Sequence, residues 1–156
     1  MPVLNEERHL ATAVAQILAT DYPGPVEVVL GLGPSTDRTD TIAADLAAHD
    51  ARIRLVDNPT GRTSAALNAA IGAASHDIIA RVDGHALIPP DYLGIAVATL
   101  LDTGADNVGG VMGARGETAF ERAVATAMTS WFGVGGAAFH IGGQAGPALT
   151  VYLGCF

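Results

Sequence analysis

Short aliphatic and β-branched runs alternate with segments of helical period along this chain, and no other feature constrains its fold as much. VEVVLGL (26–32), RIRLVDN (52–58) and DIIARVD (77–83) read as buried strands bounded by Gly, Pro, Asn and Asp. MPVL supplies a first short strand, with Asn5 as N-cap of a helix that has Glu6 and Glu7 in its first turn. Leu10, Val14, Ile17 and Leu18 then recur at helical spacing. TIAADLAAHD (41–50) and AALNAAIGAAS (65–75) follow as helices, and Pro90 is placed at the first position of another over DYLGIAVATLLDTG. DNVGGVMG then reads as a strand, ETAFERAVATAMTS as a helix and ALTVYLGCF as a last strand. Strands joined to helices through short loops predict an α/β fold, a mostly parallel sheet with helices on both faces. Residues 1–156 form one domain in this reading, without internal repeat or linker.

Charge narrows the partners. The formal net charge is −8, and all eight basic residues are Arg, without clustering. Such a chain is unsuited to nucleic acid, whose phosphate backbone is held by grouped cations. A phosphorylated ligand would be met locally by Arg, backbone N–H groups or a metal ion. The single cysteine, Cys155, cannot form an internal disulfide, which suits a reducing compartment. No basic stretch followed by an apolar one opens the chain, so no signal peptide is read. Ala123 to Phe156 carries no Asp, Glu, Lys or Arg, but many Gly residues, His140, Gln144 and Pro147 interrupt it. A spanning helix needs about 20 consecutive apolar residues, and this segment reads instead as helix, Gly-rich loop and strand.

In parallel α/β sheets, ligands bind beyond the carboxyl ends of the strands. Asn5 and Glu6 follow the first strand here, Ser35, Thr36 and Asp37 the second, Asn58, Gly61 and Arg62 the third, and Asp83 and His85 the fourth. Four polar clusters therefore converge on one edge. Asp83 and His85 are two residues apart in an extended turn and project to the same side. Carboxylate and imidazole together suit Mn²⁺ and, less well, Mg²⁺; such an ion would offset the charge of a diphosphate leaving group. Arg62, ahead of a helix N-terminus, suits a phosphate.

Each of these residues also has a plainer reading: Asp83 capping a turn, His85 and Arg62 solvated, and Asn5 and GPSTDRT capping helices. His9, His49 and His76 read as surface residues. His140, near Trp131 and Phe132, reads as hydrogen-bonding within its loop or as lining an acceptor groove. No Ser-His-Asp set, Walker-type loop or Cys-based metal set is present. Gly31 and Gly33 are followed by Thr36 rather than a third glycine, so dinucleotide binding is not indicated.

Taken in order, PVLNEERHL, GPSTDRT, NPTGRTSAALNAAI, RVDGHALIPPDYL and VYLGCF resemble the family 2 glycosyltransferases, in the branch typified by succinoglycan-biosynthesis enzymes. The resemblance runs over essentially the whole chain. It implies a GT-A, Rossmann-like fold and transfer of a sugar from a nucleotide-diphosphate donor, commonly UDP-linked, with Mn²⁺ or Mg²⁺. It also implies an inverting reaction on a saccharide or lipid-linked acceptor, in the cytoplasm or peripherally at the inner face of the membrane. By this resemblance Pro2, Asn5 and Glu6 match the first nucleotide-pocket motif, Asp37 lies by the nucleoside and Arg62 lies in the loop that closes over the donor. Asp83-Gly84-His85 takes the place of the family's Asp-x-Asp, with Asp83 on the nucleotide-sugar and metal and His85 where the metal-binding carboxylate usually stands.

Three departures accompany it. Leu32-Gly33-Pro34-Ser35-Thr36-Asp37 replaces Asp-Asp-Gly-Ser-Thr-Asp, so the carboxylate that usually recognises the base is missing. His85 in place of Asp removes one negative charge from the ion site. The family's catalytic base follows the strand resembling VYLGCF and is expected beyond Phe156, since Asp91, Asp102, Asp106, Glu117 and Glu121 are poorly placed to act as one. MPVL also gives only about 13 Å of strand, so the expectation is a fragment, incomplete at the C-terminal side of its sheet and short at the front. Two other readings stand beside this one. A non-catalytic interaction domain would self-associate through the apolar edge of an incomplete sheet. A nucleotidyltransferase would want a Gly-rich basic loop near the start, where PVLNEERH has no Gly.

Overall fold

The computed structural model describes residues 1–116, 118–134, 140, 142 and 145–156. Three strands, β1 (Pro2–Val3), β2 (Val28–Leu32) and β3 (Ile53–Asp57), form a parallel sheet in sequence order, with Pro2 opposite Gly31 and Val28 opposite Ile53. Helices α1 (Leu10–Leu18) and α2 (Thr39–His49) are the connections, and α3 (Thr63–Ala73) and α4 (Tyr92–Thr103) follow β3.

The central strand β2 is apolar on both faces, and its period of two sorts its neighbours. Val28 and Leu30 belong to the core that holds Leu10, Val14, Ile17 and Ala43 of α1 and α2. Gly31 faces the other way, onto α3, where a Cβ would fall 2.8 Å from the Ala66 carbonyl oxygen and 3.0 Å from its Cβ. The missing side chain lets α3 seat its buried Ala66 and Ala70 directly on the sheet. Helices therefore cover both faces, as the alternating pattern predicts.

The later elements are β4 (Val108–Gly110), α5 (Ala119–Met128), the single turn α6 (Trp131–Val134) and β5 (Tyr152–Cys155). β4 and β5 pair antiparallel as a separate two-stranded sheet. α5 is held at its start by a capping box: Thr118 Oγ1 accepts from Glu121 N at 3.2 Å, and Glu121 Oε2 accepts from Thr118 N at 2.9 Å. Its face carrying Phe120, Val124 and Met128 stays exposed.

Several local expectations change. DIIARVD forms no ladder strand: only Ala80 bridges, antiparallel, to Cys155, while Ile79 exchanges backbone hydrogen bonds with Phe156 at 2.8 and 3.0 Å. Its other side faces a cavity of about 600 Å³ lined by Met1, Val28, Val29, Ile79 and Val82, so it does not join β1. The Met1 ammonium beside that cavity donates to the Val29 carbonyl at 2.9 Å. Burial lowers its pKa to about 6, with Asp83 opposing and Arg81 reinforcing the shift. α1 starts at Leu10 with His9 as its N-cap residue, not at Asn5, which adopts φ 56°. Pro90 precedes α4 by a turn, and the cap position is Asp91. Glu117 and most of the Gly-rich loop read between Gly133 and Pro147 lie outside the described residues. Among the described residues no helix is long and apolar enough to cross a membrane.

Candidate functional site

The carboxyl edge of the sheet is built by loops that brace one another. Asn5 lies in the left-handed region, which Asn tolerates better than most residues, and so turns its side chain across to the loop after β2. There Asn5 Oδ1 accepts from Thr36 N at 2.8 Å, while Asn5 N donates to Ser35 Oγ at 3.2 Å. Glu6 N donates to the hydroxyl of fully buried Thr39 at 2.7 Å, and Glu7 N to Asp37 Oδ2 at 3.2 Å. Asp37 Oδ1 also accepts from Thr39 N at 3.0 Å. The Thr39 hydroxyl and backbone N–H, with Glu7 N, hold the Asp37 carboxyl below the usual carboxylate range. Asn5 and Asp37 thus cap and brace, as the plainer sequence reading had it, although Asn5 caps a neighbouring loop rather than its own helix.

Between these loops and the segment after Val82 lies a cleft of about 280 Å³. Pro2, Glu6, Asn58, Arg81, Asp83 and His85 are among its lining residues. Asn58 is buried and closes the floor: its N donates to Leu32 O at 2.7 Å, its Nδ2 to Arg62 O at 3.2 Å, and its Oδ1 accepts from Thr60 Oγ1 at 2.8 Å. Arg62 is the N-cap residue of α3 with an exposed side chain, and it is not among the residues lining the cleft.

Asp83 and His85 both reach the cleft, but each has its own partner. Arg81 Nε and Nη2 donate to the two Asp83 oxygens at 2.9 and 3.2 Å. His85 Nδ1 lies 2.7 Å from Glu6 Oε1. The Glu6 side chain is only 16% exposed, the imidazole 61%. Gly84 permits this: a Cβ there would fall 2.9 Å from Glu6 Cγ. Sequence reasoning missed Arg81 as a site residue. The i, i+2 spacing of Arg81 and Asp83 on an extended segment was the available signal.

Among the described residues no three Asp, Glu, His or Cys side chains gather into a ready metal cage. The donors that are present still fit a divalent ion of a shared site. A carboxylate offers about four lone-pair positions, and the Arg81 fork leaves Asp83 some free. An imidazole adds a nitrogen donor, and Mg²⁺- or Mn²⁺-type sites commonly complete their shell with substrate phosphates and water.

A parallel α/β sheet with a polar cleft at its carboxyl edge places the chain among the α/β proteins that bind ligands beyond their strand ends. The chain belongs to glycosyl transferase family 2, whose profile matches residues 1–149. It is 37% identical over 144 residues to the succinoglycan biosynthesis protein ExoA of Rhizobium meliloti, covering 91% of this chain and 44% of that protein. It is 35% identical over 117 residues to an N-acetylglucosaminyltransferase of Azorhizobium caulinodans, covering 72% of this chain and 28% of the relative. The chain thus spans less than half the length of these curated relatives.

Among solved structures, the mannosyltransferase PcManGT from Pyrobaculum calidifontis, in complex with GDP-Man and Mn²⁺, superposes with a TM-score of 0.63 at 31% identity. That match covers 70% of this chain and 33% of the other. Residues 1–349 of S. aureus TarS give 0.64 at 22% identity over 75% of this chain and 36% of theirs, a likeness of fold alone. The expected family and GT-A fold are thereby borne out.

Proposed function

We propose that this chain forms the donor-binding part of a glycosyltransferase that moves a sugar from a nucleotide diphosphate to a saccharide or lipid-linked acceptor, with inversion and with help from Mn²⁺ or Mg²⁺. The observation that carries this reading is the cleft where Glu6, Arg81, Asp83 and His85 meet beyond the strand ends. Pro2 and the β1–α1 turn wall one side for the nucleoside, with Asn5 and Asp37 bracing that wall. Arg81 brings a permanent cation to where a diphosphate would lie, and its grip holds Asp83 in one rotamer. Asp83 and His85 would hold the ion, which when bound supplies Lewis-acid stabilisation of the departing diphosphate. Arg62 serves at the rim, reaching a donor as the loop after β3 closes.

Because the carboxylate usual after β2 is replaced by Leu32-Gly33, the base is read by shape and backbone groups, and UDP is favoured on family resemblance alone. Removal of the acceptor proton is assigned to a carboxylate outside this cleft, so donor binding is the property that tests the cleft itself. On family resemblance alone, its work is assigned to the cytoplasm or to the inner face of the cell membrane.

Calorimetry with UDP and GDP, with and without Mn²⁺, tests the reading. Metal-dependent nucleotide binding that Asp83→Ala weakens at least tenfold is expected. Binding that is absent in a folded sample, or unaltered in Asp83→Ala, overturns it. Self-association is a second reading, favoured by the exposed Phe120, Val124 and Met128 row on α5. Sedimentation at increasing concentration decides it, and a monomer throughout rejects it.

A further inference from the structure

We infer that Glu6 is a positioning residue for His85: it sets which ring nitrogen is free, and so tunes the ion site toward Mn²⁺ and away from Mg²⁺. This rests on the donor-site reading above and goes beyond it, because Glu6 there is simply part of a nucleotide wall.

The carboxylate is fixed from three sides. Glu6 N is tied to Thr39 Oγ1 at 2.7 Å, and Glu6 O accepts the N–H groups of His9 and Leu10 at 3.0 and 2.9 Å, so its backbone cannot turn. The Gly84 turn presses on its side chain at a distance that admits no Cβ. From that anchored backbone its Oε1 reaches to 2.7 Å from His85 Nδ1. An ionised carboxylate only accepts hydrogen bonds. In the neutral ring the hydrogen therefore sits on Nδ1, and Nε2 keeps its lone pair. A carboxylate behind an imidazole also makes the far nitrogen a better electron donor, the arrangement that orients metal-binding histidines generally.

Selectivity follows from the atom offered. Mg²⁺ favours an all-oxygen octahedron and gives up water reluctantly, whereas first-row transition ions accept imidazole readily. With Asp at position 85 the site would offer only oxygens. With His85 locked by Glu6 it offers one preset nitrogen beside the Asp83 carboxylate, and the nitrogen discriminates between the two ions.

The test uses the whole 156-residue chain with UDP as the nucleotide and the free ions as probes. Mn²⁺ binding is followed by the loss of its free EPR signal and Mg²⁺ by competition, in wild type, Glu6→Gln and His85→Asp. Ring nitrogens of ¹⁵N-histidine-labelled protein are read by NMR at alkaline pH, with His85 assigned by His85→Asn. Wild type should take Mn²⁺ in preference to Mg²⁺. Glu6→Gln should weaken Mn²⁺ about 10–100-fold while changing Mg²⁺ less, and His85→Asp should narrow the preference. The His85 Nδ1 resonance should be that of a protonated nitrogen.

A Mn²⁺-to-Mg²⁺ ratio equal in wild type and Glu6→Gln, or a lone pair found on Nδ1, overturns the inference and leaves the donor site standing. UDP-dependent binding of neither ion instead removes the donor-site reading and the selectivity claim with it. Should Glu6→Gln fail to fold, Gly84→Ala supplies the same comparison, since it displaces the carboxylate without deleting it.

Discussion

Thr39 is the residue on which fold and site depend together, and replacing it sets two physical effects against each other. Its side chain is fully buried at the first position of α2, where its hydroxyl accepts from Glu6 N and supports the Asp37 carboxylate. Thr39→Val swaps that hydroxyl for a methyl group at nearly constant volume. Area transfer alone makes the change favourable by about 0.8 kcal/mol for the added buried carbon. Against this, the Glu6 N–H is left in a partly buried place without its acceptor, at about 2–3 kcal/mol, and the hydrogen bond to the Asp37 carboxylate is lost as well. The hydrogen bonds win, by about 2 kcal/mol. Thr39→Ser keeps both bonds and loses only the methyl, about 0.8 kcal/mol. Urea unfolding followed by circular dichroism should therefore rank wild type, Ser and Val in falling order of stability with a constant m value. The Val variant should melt about 4–8 °C below wild type for a chain of this size. A Val variant as stable as the Ser variant, or more so, refutes the reasoning.

Other outcomes follow from single residues. Gly31→Ala sets a Cβ 2.8 Å from the Ala66 carbonyl oxygen, backbone that cannot step aside, and should cost about 1–3 kcal/mol by chemical denaturation as α3 is pushed off β2. Burial pushes the Tyr92 phenol up to about 12, and its hydroxyl donates to the Leu153 carbonyl at 2.5 Å. The unfolded chain loses this proton near its ordinary value of 10.0, so the folded state binds more protons between the two values and stability should fall as pH rises from 10.0 to about 12. Tyr92→Phe should flatten that part of the profile. Cys155 is fully buried and its thiol is pushed up by desolvation, so thiol reagents should label it only as fast as the protein opens, with a marked acceleration in denaturant.

The parallel three-stranded sheet was legible because β2 is a continuous apolar run, α1 repeats its apolar residues at helical spacing and the loops between elements are short. The rule that ligands sit beyond strand ends points to the edge at which the cleft lies. What local pattern could not show is where a polar side chain finds its partner. Asn5 has the composition of a helix cap, but a positive φ sends it to the loop after β2. Asp83 and His85 share a side by spacing, but Arg81 and Glu6 draw them into separate pairs. Glu6 and His85 are 79 residues apart, beyond the reach of any pattern in one sequence. DIIARVD has the apolar content of a strand, yet whether it forms a ladder depends on neighbours on both of its edges. One edge meets Cys155 and Phe156, the other a cavity.

The pairing of Asp83 with Arg81 and of Glu6 with His85 also bears on how a donor site is kept ready. A cleft with two free carboxylates would repel a diphosphate until an ion arrived. Here the Asp83 charge is matched by the Arg81 guanidinium, and the Glu6 carboxylate is hydrogen-bonded by the His85 imidazole, so an incoming diphosphate would meet less unscreened negative charge than two free carboxylates present. The same hydrogen bonds hold the four side chains in fixed rotamers, which lowers the entropy lost when a ligand orders them. The braces behind them have the same effect one step further out: Thr39 holds Glu6, Asp37 holds Thr39 and Glu7, and Asn5 holds Thr36. Sheet edge and binding cleft are therefore one hydrogen-bonded unit. A change in the loop after β2 should be felt at His85 through Glu6, whose Oε1 lies 2.7 Å from the imidazole.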